Sequence, residues 1–270
     1  MEIKLNNVSF SYNSCKVIDN VSCLIKDNMI SAIVGVNGSG KSTLLQIIDG
    51  LISPSNGYIK VGNVVCNNDK SYIKKIGYLF QNSFDQSFYS TVYMELEKIL
   101  ECYGFDNIDK KIRDSIKLVG LDDNILYRNP EKISSSELKK IFLAGILACD
   151  CEVIFLDDPF SCLDFSSKND LLRLIKNLKK KYGKTIIIVS SDVDFIHRFV
   201  DYVYLIKDGS IYLEGNKYDV LSNEVAMNYC GLKVPDILHF SNLVLQKKSI
   251  KIGYRDEIND LIKDVYRYVK

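Results

Sequence analysis

The stretch Gly35-Val36-Asn37-Gly38-Ser39-Gly40-Lys41-Ser42 satisfies G-x-x-x-x-G-K-[ST] in full, and nothing else in this 270-residue chain restricts the fold so sharply. Such a loop works between a buried strand and the start of a helix. Its glycines let successive backbone N–H groups turn inward on a phosphate. The helix that follows offers its unpaired N–H groups and the positive end of its dipole. Both flanks are legible. Met29 to Val34 is an apolar strand, and Thr43 leads into a helix whose buried face includes Leu44, Leu45 and Ile48. Lys41 is expected to reach the β- and γ-phosphates, and the Ser42 hydroxyl to ligate magnesium. Gly35 to Thr43 therefore form a candidate binding site for ATP or GTP with Mg2+.

A loop of this kind needs a carboxylate at the end of a neighbouring buried strand to organise the metal. Val153-Ile154-Phe155-Leu156-Asp157 supplies one, and Asp158 follows directly. A purely structural alternative, in which both aspartates only cap the turn at Pro159, loses weight beside the phosphate loop. Around this pair the chain alternates strand and helix: Val153 to Leu156, a helix lined by Leu171, Ile175 and Leu178, then Thr185 to Val189. That rhythm implies a parallel sheet covered on both faces.

The first thirty residues read as strands, with Val21, Cys23 and Ile25 alternating with polar neighbours. Pro54 and Gly57 bracket a turn before a strand-rich stretch ending in Ile76 to Phe80. From about Thr91 to Lys140 the pattern is helical, with Ile112, Ile116 and Val119 on one face. Tyr202 to Ile206 and Ser210 to Leu213 make a hairpin through Asp208-Gly209. Gly231 to Pro235 reads as a connector, and Ile258, Leu261, Ile262 and Val265 mark a final amphipathic helix.

Composition removes several function classes. The net charge of +1 lacks the basic field of a nucleic-acid binder. The basic run Lys179-Lys180-Lys181 fits a solvated helix C-terminus. Eight scattered cysteines, with no C-x-x-C pair, no signal peptide and only two histidines, argue for free thiols in a reducing, cytosolic compartment and against zinc. Apolar runs such as Ile141 to Ala148 fall short of the roughly 18 residues that span a membrane, so any membrane contact has to come through a partner.

In the order of these elements the chain resembles the ABC ATPase family over nearly its whole length. The resemblance implies an α/β P-loop NTPase: a mixed sheet core, an antiparallel β subdomain, and a helical subdomain at about 88–145 within an ATPase domain 1–215. A small C-terminal extension, 216–270, follows. Tyr12 looks like the aromatic that stacks on adenine, and Gln81 like the glutamine that reaches magnesium and senses the membrane partner. Ile133-Ser134-Ser135-Ser136-Glu137 stands in place of the signature, usually Leu-Ser-Gly-Gly-Gln, where Ser134 and Ser136 would meet nucleotide. Ser161 to Asp164 looks like the D-loop, and Ser190-Ser191-Asp192 stands where the switch histidine belongs. Gln81-Asn82 with Asp85-Gln86, and the tail motifs Gly231 to Pro235 and Asp256-Glu257-Ile258, are similar to the energy-coupling-factor importers of vitamins and metal ions.

Three departures bear on catalysis. The catalytic glutamate is Asp158, a methylene shorter. The switch histidine is Ser191, neutral and too short to reach a γ-phosphate. Both signature glycines are serines and the glutamine is Glu137, so Ser134 to Glu137 reads equally as a capping box, its carboxylate occupying N–H groups where a γ-phosphate should dock. Family ATPases act as dimers, each ATP lying between one subunit's phosphate loop and the other's signature. The expectation is a subunit that binds Mg-ATP well and hydrolyses it slowly. It would pair with a better-preserved paralogous ATPase on the cytoplasmic face of the membrane, alongside a transmembrane coupling protein and a substrate-binding membrane component. A non-catalytic regulatory subunit is the alternative, and a soluble ABC ATPase acting on DNA or ribosomes a weaker third.

Overall fold

A computed structural model describes residues 1–66, 71–248, 250 and 252–269. The chain opens with a hairpin, β1 (Ile3–Tyr12) and β2 (Cys15–Ile25), whose buried side chains Ile3, Leu5, Val8, Ile18, Val21 and Ile25 leave one apolar face needing cover. After β3 (Ile30–Val34) and helix α1 (Lys41–Asp49), β4 (Asn56–Val61) and β5 (Val64–Val65) extend the hairpin into an antiparallel sheet of order β2-β1-β4-β5. β3 is the first strand of the second sheet, and β6 (Ile76–Leu79) forms its edge. Helices α2 (Val92–Tyr103), α3 (Ile108–Leu118) and α4 (Ser135–Ala148) follow. Then come β7 (Val153–Asp157), α5 (Phe165–Tyr182), β8 (Thr185–Ser190), α6 (Val193–Ile196), β9 (Tyr202–Lys207) and β10 (Ser210–Asn216). The chain ends in α7 (Lys217–Leu221), α8 (Glu224–Tyr229), α9 (Asp236–Lys248) and α10 (Ile258–Val269).

The second sheet has the order β10-β9-β3-β8-β7-β6, parallel throughout except for the β9–β10 hairpin. Its strands are apolar on both faces because both are covered. Along β7, Val153 and Phe155 join one buried cluster, with α1 and the antiparallel sheet, while Ile154 and Leu156 join the other, with α4 and α5. One cover is thus partly a sheet, the destination of the apolar face of the opening hairpin.

The helical stretch is interrupted. Gly104 closes α2 in the left-handed conformation, and an irregular segment at 119–134 separates α3 from α4. The last helix of the three runs on past Lys140 to Ala148, because Ile141, Leu143, Ala144 and Ala148 pack into the core. Of the lysine run at the end of α5, Lys179 is not simply solvated: its Nζ donates to Asp201 at 2.7 and 2.8 Å. The C-terminal helices add to the core already built, since Leu221, Met227, Leu232 and Leu238 belong to the same apolar cluster as α4 and α5. Polar contacts fasten the rest: Arg198 pairs with Glu257 at 3.0 Å, and the Tyr218 hydroxyl donates to Asp256 at 2.7 Å. No disulfide joins the cysteines, and no helix is long and apolar enough to cross a membrane, among the described residues.

Parallel pairing brings the carboxyl ends of β3, β7 and β8 to one edge: Val34 faces Ser190, and Asp157 faces Val189. A loop after each strand therefore opens on a common crevice, the usual ligand position in such sheets. At the far end of α1, Asp49 is buried beside a cavity of about 200 Å³ shared with Tyr78, Gln86 and Tyr103. Burial pushes its carboxyl up to about 7 from 3.8. The folded chain then holds a proton between those values that the unfolded chain has released, so this group's contribution to stability is full below about pH 4 and is lost as pH rises to about 7. Urea titrations should show this decline, about 1.4 kcal/mol per pH unit at most, and Asp49→Asn should remove that component.

Candidate functional site

The phosphate loop is shaped by close approach. A Cβ on Gly35 would lie 2.5 Å from the Ile206 carbonyl oxygen, and one on Gly40, at φ 97°, would lie 2.8 Å from that of Val17. Gly40 is also the N-cap of α1 and supplies no side-chain cap, so the helix's first N–H groups remain directed at the crevice. Lys41 is nearly buried, and its Nζ donates to the Gly35 and Val36 carbonyls at 2.9 and 2.8 Å. Burial lowers its pKa, opposed by the nearby carboxylates of Asp157 and Asp158. The positive charge is held over the loop by the loop itself.

Beside it, the Ser42 hydroxyl donates to Asp157 Oδ1 at 3.0 Å and the Tyr78 hydroxyl to Oδ2 at 3.1 Å. Asp157 is 5% exposed and forms no ion pair among the described residues. Burial raises its pKa, which the two hydroxyls partly offset. A buried carboxylate beside a serine hydroxyl, with the Gln81 amide bordering the same cavity, is a hard oxygen donor set that suits a small divalent cation. Tyr78 escaped the sequence reading because only the strand register, Tyr78 opposite Phe155, brings it to Asp157.

Asn37, Gly38 and Gly40 to Thr43 of the phosphate loop border one cavity of about 460 Å³ with Asp157, Asp158, Gln81 and Ser191, while Gly35, Val36 and Ser39 lie outside its lining. Gln81 lies just beyond β6, on a loop stapled by Gln86, whose side chain accepts from Phe80 N at 3.3 Å and donates to the Tyr78 carbonyl at 3.2 Å. Asp158 takes a left-handed backbone, φ 43°, with its N–H bonded to the Val189 carbonyl at 2.9 Å. Its carboxylate accepts from Ser190 Oγ at 3.2 Å and from Gln81 Nε2 at 3.5 Å. Ser190 and Val17 are further contributors that the sequence did not single out as site residues; Val17 also lines the cavity.

Three expected residues lie elsewhere. Tyr12 is half-exposed and packs edge-on against Phe10 at 4.8 Å, away from the cavity lining. Ser134 and Ser136 sit at the N-terminus of α4, also outside it. There Ser134 is the N-cap, accepting from Glu137 N at 3.3 Å. The Glu137 carboxylate does not settle on N–H groups as a capping box would have it. It accepts the Ser134 hydroxyl at 2.7 Å, a charge-assisted bond stronger than its neutral counterpart. Ser136 Oγ approaches Ser134 Oγ to 3.3 Å.

The family profile described as "ABC transporter" matches residues 18–161. The energy-coupling factor transporter ATP-binding protein EcfA3 of Oenococcus oeni is 32% identical, over 98% of this chain and 93% of that protein. Among solved structures, cbiO1 from Clostridium perfringens, described as part of the ABC transporter complex cbiONQ, superposes with a TM-score of 0.74 at 26% identity, covering 89% of this chain and 98% of that one. The ATP-binding cassette MJ0796, as a dimer bound to ADP and Pi after hydrolysis, gives a TM-score of 0.71 at 25% identity, over 80% of this chain and 98% of that one.

Proposed function

This chain belongs to the ABC transporter family of ATP-binding cassettes, and from that premise we propose that it powers an energy-coupling-factor-type importer of a vitamin or metal ion. It would do so from the cytoplasmic face, paired with a second, better-preserved cassette and held to the membrane by a transmembrane coupling protein and a substrate-binding component. The observation that carries the reading is the joint lining of one cavity by Lys41, Ser42, Gln81, Asp157 and Asp158.

In this reading the amides of Gly38 to Lys41 and the Lys41 ammonium bind the triphosphate, and Tyr12 meets the adenine. Ser42, Asp157 and Gln81 would hold Mg2+, which would supply charge neutralisation for the phosphates when bound. Asp158 accepts the proton of the attacking water, with Gln81 holding that water in line. Asp158 is drawn back onto Ser190, a methylene short of the family position, and Ser191 supplies no imidazole to the γ-phosphate. Hydrolysis is therefore slow while binding is not.

The defects divide between the two ATP sites of a dimer. Asp158 and Ser191 weaken the site built on this chain's own phosphate loop. The Ser134–Glu137 contact weakens the site where this chain offers its signature to the other subunit. A homodimer would carry both defects in both sites, which favours a heterodimer. That same contact supports a second reading, in which the chain binds ATP as a regulatory subunit without turning it over.

The test is a magnesium-dependent ATP titration of the purified chain, alone and with its membrane complex, followed by single-turnover measurement at each site of the heterodimer. Tight binding with residual turnover at the Asp158 site supports the catalytic reading, and binding with none supports the regulatory one. Lack of magnesium-dependent affinity, alone or in the complex, would overturn both.

A further inference from the structure

Lys139 lies on α4 five residues beyond the Ser134 N-cap and is 3% exposed, yet it forms no ion pair among the described residues. A cation out of water is costly unless its donors are met. All the acceptors it finds are on one loop: the carbonyls of Pro159 and Ser161, each at 2.9 Å, and Ser161 Oγ at 3.4 Å. Ser161 Oγ in turn donates to the Asp158 carbonyl at 2.8 Å, and Ser161 N bonds that same oxygen at 3.2 Å. Burial lowers the lysine pKa, while Asp158 acts against that shift.

We propose that Lys139 is a positioning residue that fixes the backbone at Asp158 to the helix bearing Ser134. Asp158 occupies a conformation that side-chain-bearing residues adopt uncommonly, and such a conformation persists only where its surroundings hold it. Ser190 and Gln81 hold the carboxylate, whereas Val189 holds the Asp158 N–H and Ser161, itself bonded to Lys139, holds its carbonyl. A shift of α4 thus moves the 159–161 loop and re-aims Asp158. On the dimer reading above, on which this inference rests, the α4 N-terminus addresses the partner's nucleotide and Asp158 the chain's own. Lys139 then makes hydrolysis at one ATP site sensitive to occupancy of the other.

Lys139→Met keeps the apolar stem and removes the donors. In the assembled transporter complex we expect kcat for ATP to fall about tenfold, as a small misplacement of a reacting group does, with KM and Mg-ATP affinity changed less than about twofold. Lys139→Arg should restore part of the loss. Ser161→Ala is the milder companion, keeping the two carbonyl bonds of Lys139 while removing the hydroxyl that accepts from Lys139 and donates to the Asp158 carbonyl; about a threefold fall in kcat is expected, on the order of a small displacement. If Lys139→Met does not fold by circular dichroism, Ser161→Ala decides the matter. Unchanged kcat in the folded variants, or kcat and KM moving in step with a lowered Tm, overturns the link alone. Absence of turnover in the wild-type complex overturns the underlying reading and the link with it.

Discussion

Asp158→Glu combined with Ser191→His is expected to raise ATP turnover of the assembled complex by about 10²-fold, the scale on which roughly 1 Å of misplacement acts. Asp158 accepts from Ser190 at the end of β8 and from Gln81, and both bonds keep its short side chain near the cavity wall. One more methylene would carry the carboxylate farther into the cavity, toward the water of the proposed mechanism. Ser191 lines the same cavity, so an imidazole there has space and a direction in which to donate. Asp158→Glu alone should give the larger share, because it would move the proposed base, while Ser191→His would add charge stabilisation. Steady-state phosphate release in the reconstituted transporter measures both. Rates that stay at the wild-type level would show that turnover is limited elsewhere.

Lys41→Met should act in the opposite direction and nearly as far, lowering affinity for Mg-ATP by about 10²-fold, the upper end of what a hydrogen bond to a charged group contributes. The lysine is held over the loop by the Gly35 and Val36 carbonyls, so its charge is in place before nucleotide arrives and little reorganisation is needed. Methionine retains the stem and leaves those carbonyls to water, which the open crevice admits. Fluorescent-nucleotide titration with and without magnesium reads the effect. Undiminished affinity in a folded Lys41→Met chain would place the nucleotide somewhere other than this loop.

These two effects concern residues the sequence displayed openly, for a physical reason. A phosphate loop is written in contiguous residues because it is made of backbone amides and glycine torsions, and a buried strand such as Val153 to Leu156 announces itself by its unbroken apolar run. The hairpin at Asp208-Gly209 is local in the same sense, with both residues at positive φ. Tyr78 and Ser190 were hidden because their contacts depend on strand register between distant segments. Lys139 was hidden for another reason: a lysine in a polar-looking stretch reads as solvated, and only the packing of α4 against the 159–161 loop buries it. Glu137 was legible as a cap, but which donor its carboxylate would choose was a matter of side-chain torsion rather than pattern.

The apolar cluster that runs without a break from the central sheet into Leu221, Met227, Leu232 and Leu238 has a consequence for how this chain can be re-engineered. Its tail is not an interchangeable module that could be grafted between cassettes at the end of β10. A chimera joined there would set two unrelated halves of one interior against each other, so a workable splice has to fall beyond Leu238, where the remaining segment is fastened by Asn242, Tyr254, Asp256 and Glu257.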